Sequence, residues 1–458
     1  MSAAGAGERG YRWAVQQLQA RGRFGIRLGL GRTRALLREL GDPQLAFRGA
    51  LVAGTNGKGS VLALAGSALR AAGIRMGETP KPHLVSYRER LAIDGQPVDA
   101  DTFARLVAEV LPAADRVARR LGEPTEFELL TALVFRWFAD QGVRVALIEV
   151  GLGGRLDATH TWDGGVAAIT NVTLDHMDRL GPTVTAIARE KAAIIQGGDL
   201  AVTGARGEAL AVIRRRAARL RVPLRTVTAA PVLGWDRDGI EVELPRLGQT
   251  RIGLRGRHQA ANAAVADAVL DALAEAGIAR VDDSARRRGY AAATWPGRLE
   301  LLDVGGRDVL LDGAHNPDGA AALAVALDDL RPHLRCGAAA DAPPLTLVMA
   351  SMADKDVEAV IGALVGAPAL AGASVIATTI DAPRAMPADA LAAHWRRLGE
   401  AAGITAVRSI PDAAAALERA VAEARGPVVV AGSLYLVGVA RGRFVDDPRL
   451  RDPEGDAE

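Results

Sequence analysis

Gly54-Thr55-Asn56-Gly57-Lys58-Gly59-Ser60 decides the fold of this 458-residue chain. The apolar run ALVAG (50–54) leads into it with strand character, and SVLALAGSALRAAG (60–73) leaves it with helical period. Glycines let the backbone wrap a phosphate chain with its N–H groups, a helix N-terminus adds positive potential, and a lysine ammonium reaches the outer phosphates. Residues 54–60 therefore read as a cradle for a nucleoside triphosphate. The string departs from the common phosphate loop because Gly59 separates Lys58 from Ser60, the candidate magnesium ligand. An ordinary glycine-rich turn is the alternative, and the strand-loop-helix context argues against it.

Beyond the loop, apolar runs alternate with segments of helical period. VRVALIEV (143–150) and VAAITNV (166–172) read as buried strands, with a helix at 128–140 before them. Alternation of this kind predicts an α/β fold with a parallel sheet covered by helices. A second series, DVLLDG, LTLVMA, SVIATTI and VVVAGSLYLV as strands with a helix at 412–424, follows Trp295-Pro296-Gly297. The expected organisation is a phosphate-loop ATPase domain over 1–296 and a smaller Rossmann-like α/β domain over 297–445. The segment 337–344 reads as an exposed loop, and the acidic tail 446–458 as disordered.

Composition narrows the partners. Net charge is +2 with acidic and basic residues interspersed, which argues against a nucleic-acid surface. No apolar signal core and no run of about 18 uninterrupted apolar residues is present, which argues against membrane partners. The single Cys336 fits a reducing compartment, so a cytoplasmic address is expected. Of 56 basic residues only Lys58, Lys81, Lys191 and Lys355 are lysine. Such a chain keeps a primary amine where a guanidinium would not serve.

Further motifs stand at strand ends, where open parallel sheets bind ligands. Glu149 closes VRVALIEV and is a metal candidate, with helix capping as the alternative. His176 ends Asn171-Val172-Thr173-Leu174-Asp175-His176, and Lys191 opens the apolar run AAII, where an ammonium is costly unless paired or chemically modified.

GTNGKGS, EVGLGGRLDAT, LDHMDRLGPT, REKAAII, GRHQAANAAVA, WPGRLE, LDGAHNPDGA and GSLYLVG occur in this order. In them the chain resembles, from about residue 25 to 440, the folylpolyglutamate and dihydrofolate synthases of the Mur ligase superfamily. The resemblance implies an ATP-dependent ligase, acting as a monomer, that adds L-glutamate to tetrahydrofolate, to dihydropteroate or to both through an acyl phosphate. It implies that Lys58 stabilises the transferring phosphoryl group, that Ser60 and Glu149 hold one Mg²⁺, and that His176 with a carbamylated Lys191 holds a second. Carbamylation turns an amine into a carboxylate, which an arginine cannot undergo. Further ATP contacts are implied for Asn262, Arg298, Asp312 and His315, and the last three imply a cleft that closes by domain movement. The folate or pteroate is implied to meet Leu28, Gly29, Leu30 and Gly31, then Thr125, Glu126, Phe127 and Glu128, then Leu156, Asp157 and Ala158.

Departures from the family's pattern are as informative. Gly31 stands where the family commonly has glutamate, so pocket details are expected to differ. Glu78-Thr79-Pro80-Lys81-Pro82-His83-Leu84 replaces a Thr/Ser-Ser-Pro-His-Leu pattern whose second serine is implied to help hold magnesium. An ammonium cannot ligate a cation. Lys81 is therefore expected near the ATP phosphates or a carboxylate such as Glu149, with a solvated loop lysine as the alternative. Lys355, in Asp354-Lys355-Asp356, is open between orienting its neighbouring acids, binding glutamate, and a solvated charge cluster. A Mur-type ligase for peptidoglycan precursors would carry a sugar-nucleotide domain before the loop, and only 53 residues precede Gly54 here. A phosphate-loop kinase or nucleotide switch is the remaining alternative class.

Overall fold

Val145 to Glu149 is buried at every residue, as a strand covered on both faces must be, and this explains its continuous apolar composition. The computed structural model describes residues 3–22, 27–336, 343–404 and 406–452. They divide into two units, one comprising Met1–Ala229, Ala261–Ala292 and Pro448–Glu458, the other Ala230–Ala260 and Ala293–Asp447.

The first unit is built on β1 (Arg48–Ala53), β2 (Met76–Thr79), β3 (Ala92–Ile93), β4 (Gln96–Pro97), β5 (Val145–Glu149), β6 (Gly165–Ile169), β7 (Leu200–Thr203) and β8 (Leu224–Thr226). Their order in the sheet is β4-β3-β2-β5-β1-β6-β7-β8. Strand β1 pairs in parallel with β5 and β6, while the short edge strands β3 and β4 run antiparallel. After β1 the chain builds one side of the sheet and then, from β6 onward, the other. That reversal opens a crevice beyond the carboxyl ends of β1, β5 and β6, where such sheets bind ligands.

The helix Lys58–Ala71 leaves the loop after β1 and is buried continuously from Ser60 to Leu69. Such burial requires cover on the side away from the sheet. The helix Asp283–Ala292 supplies it, so closely that a Cβ at Gly289 would strike the Ala68 backbone. Arg286 on the same helix is fully buried and donates to Asp267 Oδ1 at 2.8 Å, so its charge is paired.

The second unit carries an antiparallel sheet of β9 (Val232–Asp236), β10 (Gly239–Leu244) and β11 (Gly248–Ile252). It also carries β12 (Glu300–Val304), β13 (Arg307–Leu311), β14 (Thr346–Met349), β15 (Ser374–Thr379), β16 (Ala406–Asp412) and β17 (Val428–Ala431). These lie in the order β12-β13-β17-β14-β15-β16, parallel except for the β12/β13 hairpin.

Three expectations need correction. Residues 230–260, assigned by sequence to the first domain, belong to the second unit. Ion pairs hold them there: Arg237 Nη2 reaches the fully buried Asp308 at 2.6 Å, and Arg257 Nε reaches Asp329 at 2.7 Å. VVVAGSLYLV is not one strand. It ends as β17 at Ala431, and Ser433 then caps the helix Leu434–Phe444 by accepting from the Tyr435 amide. Residues 448–452, read as part of a disordered tail, lie against the first unit, where Arg88 Nη2 donates to Arg451 O at 2.6 Å. Residues 453–458, and 337–342 of the expected exposed loop, fall outside the described residues.

Replacing Gly289 with alanine is expected to overpack the contact with Ala68 and cost about 1–3 kcal/mol. Differential scanning calorimetry checks this. An unchanged thermal midpoint would show that the two helices separate without cost.

Candidate active site

The phosphate loop is held open by its own neighbours. Gly57 has φ 82°, a left-handed conformation that glycine adopts without strain, and a Cβ there would strike Asn262 Oδ1. Asn56 N donates to Asn171 Oδ1 at 2.9 Å, and Thr170 Oγ1 donates to Asn56 O at 2.6 Å. Thr55 Oγ1 donates to Thr173 O at 3.2 Å. The segment after β6 thus braces the loop, a part of the site for which the sequence reading gave Asn171, Thr170 and Thr173 no role. The signal was available in Asn171-Val172-Thr173, polar residues directly after an apolar strand.

Two lysine ammonium groups converge on one carbonyl. Lys58 Nζ donates to Gly54 O at 3.1 Å and to Thr55 O at 3.1 Å, and Lys191 Nζ donates to Gly54 O at 2.9 Å. Lys191 is buried, and desolvation, reinforced by the charge of Lys58, lowers its pKa to about 7. Lys81 lies on Glu149: its amide donates to Glu149 Oε2 at 3.0 Å and its ammonium to the Glu149 carbonyl at 2.6 Å. The same ammonium stands 4.6 Å from the centre of the Phe127 ring. Burial lowers its pKa to about 8, with Asp157 and Glu149 opposing the shift. Lys81 is thus packed into the site, not a solvated loop lysine.

Next to Lys81 a small cleft is lined by Thr79, Arg90, Phe127, Leu130, Val134 and Thr159, among others. Phe127 therefore lines the site, whereas Thr125 and Glu128 form a capping box at the start of the helix Glu126–Asp140. The Glu128 carboxylate also accepts from Arg32 Nε at 3.0 Å, so it is engaged by structure on two sides. Glu126 accepts from Tyr87 Oη at 2.8 Å. Asp157 is buried and accepts from Leu152 N at 2.8 Å, Thr159 N at 3.0 Å and Thr159 Oγ1 at 2.5 Å, which shapes the turn carrying Leu156 and Ala158. Leu28 is exposed, Gly29 has φ 146°, and Leu30 and Gly31 begin the helix Gly31–Glu39. His83 stacks on Tyr87 and accepts from Arg90 Nε at 2.8 Å; burial, with the Arg90 charge second, lowers its pKa to about 3. It is a neutral acceptor that orients Arg90.

His176 has φ 49° and begins the helix Met177–Leu180, with Nε2 3.9 Å from Asp175 Oδ2. In the second unit Arg298, Asp312 and His315 gather around Gly313. Arg298 Nη1 donates to Gly297 O at 3.0 Å, Asp312 Oδ2 accepts from Leu299 N at 2.9 Å, and His315 Nδ1 lies 2.7 Å from Gly313 O. His258, unremarked in the sequence, stands near them at a solvent-exposed position, where Asp312 and Arg298 act on its charge in opposite directions. Lys355 lies in the turn before the helix Val357–Val365, where its amide donates to Met352 O at 3.2 Å.

Whether these residues suit a nucleotide and magnesium can be tested on their chemistry. The side-chain oxygens of Thr79, at the end of β2, and Thr173, in the segment after β6, are buried without a hydrogen-bond partner, as expected where a polar ligand completes the site. Ser60, in the first turn of the helix that follows β1, and Glu149, at the end of the adjacent strand β5, are hard oxygen donors and suit Mg²⁺. Lys191 suits a cation only as a carbamate, since as an ammonium beside Lys58 it repels one. Among the described residues no cluster of three His, Cys, Asp or Glu could hold a metal without such help.

Comparison with known proteins agrees with this geometry. The Mur ligase middle domain family matches residues 52–270, and the Mur ligase glutamate ligase domain family matches 297–434. The chain is 35% identical to the dihydrofolate synthase/folylpolyglutamate synthase of Mycobacterium tuberculosis, over 92% of this chain and 91% of that protein. A Haloferax volcanii relative, named a "probable bifunctional folylpolyglutamate synthase/dihydropteroate synthase", is 37% identical over 94% of this chain, which spans half of that longer protein. Among solved structures, Mycobacterium tuberculosis folylpolyglutamate synthase with ADP and AMPPCP superposes with TM-score 0.82 and 32% identity, covering 96% of this chain and 100% of that one. Escherichia coli FolC with DHPP and ADP gives 0.78 and 29%, over 94% and 97%. From its phosphate loop to its second α/β unit, the chain belongs to the folylpolyglutamate synthase/dihydrofolate synthase family of Mur ligases.

Proposed function

We propose that the chain is an ATP-dependent ligase that adds L-glutamate to tetrahydrofolate, with dihydropteroate as a second acceptor, and that it acts as a cytoplasmic monomer. The observation that carries this is the meeting of Lys58 and Lys191 at the Gly54 carbonyl, inside a glycine-rich loop at the switch point of the sheet. The relatives' substrates and their nucleotide complexes support the same reading.

In this scheme an oxygen of the acceptor carboxylate attacks the γ-phosphorus of ATP. The bond to the β-phosphate oxygen breaks, releasing ADP and leaving an acyl phosphate. The glutamate amine then attacks the acyl carbon, phosphate departs with the bonding pair, and the amine loses a proton as the amide forms. Negative charge grows on the phosphoryl oxygens in the first step, and Lys58 with the loop amides would bind it. Ser60 with Glu149, and His176 with a carbamylated Lys191, would hold two magnesium ions, whose chemistry is neutralisation of phosphate charge. Phe127 is the proposed aromatic contact of the pterin ring. Asn262, Arg298, Asp312 and His315 are proposed nucleotide contacts.

Glutamate incorporation measured side by side with dihydropteroate and tetrahydrofolate tests the reading. ATP-dependent turnover with either acceptor is expected, and none with both would favour a Mur-type ligase for a non-folate carboxylate. Arg298→Ala is expected to raise the KM for ATP or lower kcat; unchanged kinetics would remove Arg298 from the site. Carbamate forms from neutral amine and carbon dioxide, and Lys191 loses its proton near pH 7, below an ordinary lysine. A ¹³C-carbamate resonance in bicarbonate buffer should therefore grow as pH rises through 7 and vanish in Lys191→Arg. A resonance that persists in the variant assigns the carbamate elsewhere.

A further inference from the structure

Ser86 is fully buried, and its hydroxyl is surrounded by donors. Tyr11 Oη lies 3.0 Å away, Arg88 Nε 3.2 Å and Arg88 N 3.4 Å. Burial raises the Tyr11 pKa, so the phenol keeps its proton. The one proton on Ser86 then goes to Asp452 Oδ1, at 2.6 Å. Beside it Arg88, itself buried, donates Nη2 to the Arg451 carbonyl at 2.6 Å. Arg449 Nη1 donates to Gln96 Oε1 at 3.0 Å, at the edge strand that follows.

The loop that these bonds grip reaches the acceptor side of the site. The Glu89 carboxylate gathers the amides of Leu84, Val85 and Ser86 at 2.9, 2.7 and 2.8 Å, which makes the segment one rigid turn. From that turn Tyr87 reaches Glu126, Arg90 reaches His83, and Lys81 reaches Glu149 and the Phe127 ring. One end of the loop is thus tied to the strand-end carboxylate, and the other to residues that follow the second unit in the chain.

We propose that residues 448–452 are a strap that positions the loop Lys81–Arg90 for acceptor binding, with Ser86 and Asp452 as its positioning residues. Without Asp452 the Ser86 hydroxyl loses the acceptor to which it donates, and the turn relaxes. The role in acceptor binding rests on the folate-directed reading above; the grip on the loop does not.

Two measurements separate them. In Asp452→Ala, hydrogen exchange of the Leu84–Ser86 amides should accelerate about tenfold, and the KM for the acceptor should rise while that for ATP stays constant. Asp452→Asn keeps an acceptor oxygen and should restore both. Unchanged exchange in Asp452→Ala, and in a chain ending at Asp447, would overturn the strap. Faster exchange with an unchanged acceptor KM would overturn its positioning role. Should the wild-type chain turn over no folate acceptor, exchange still decides whether the strap holds the loop.

Discussion

The carbonyl of Gly54 accepts hydrogen bonds from two lysine side chains, and most of the site follows from that crowding. Two ammonium groups so close in a buried place repel each other, and the structure answers by lowering the Lys191 pKa. A polyphosphate brought to the loop would relieve the repulsion, and so would conversion of one amine into an anion. The site is therefore poised for negative charge before any arrives. The bracing of the loop by Asn171 and Thr170 matters for the same reason, since charges stabilise a transition state best when they need not move to meet it.

The parts of this arrangement that depend on local rules were legible in the sequence. Residues 54–60 announced a turn between strand and helix, and the buried strands β5 and β6 overlap the apolar runs 143–150 and 166–172, though each is shorter than its run. What remained hidden depends on contacts between distant segments. Nothing in Arg237 or Arg257 says that each finds an aspartate about seventy residues onward, and those pairs move 230–260 from one unit to the other. The acidic tail failed for the same reason: Asp452 looks solvated until Ser86, 366 positions earlier, is found to need an acceptor.

Thr125 and Glu128 show that one residue string can carry a structural role beside the one a resemblance implies. The resemblance implied both as folate contacts, yet their mutual hydrogen bonds start the helix Glu126–Asp140, and Arg32 engages the glutamate besides. Phe127 and Glu126, between them, are the residues whose side chains turn toward Lys81 and Tyr87. Thr-x-x-Glu is a capping signature before it is a binding motif. The cap makes the helix start rigid, and a rigid start holds Phe127 in register with the cleft.

The interleaving of the two units along the chain bears on how the protein is made. Residues 230–260 of the second unit are synthesised before the last helices of the first, and the segment 448–452 of the first comes after the whole of the second. On a ribosome that delivers residues in order, neither unit can finish folding before most of the other has emerged. The helix Asp283–Ala292, which covers the phosphate-loop helix, arrives more than two hundred residues after the loop itself. Until then the apolar outer face of Lys58–Ala71 has no cover, so the nascent chain passes through a long interval in which its nucleotide site is present in sequence but not yet walled.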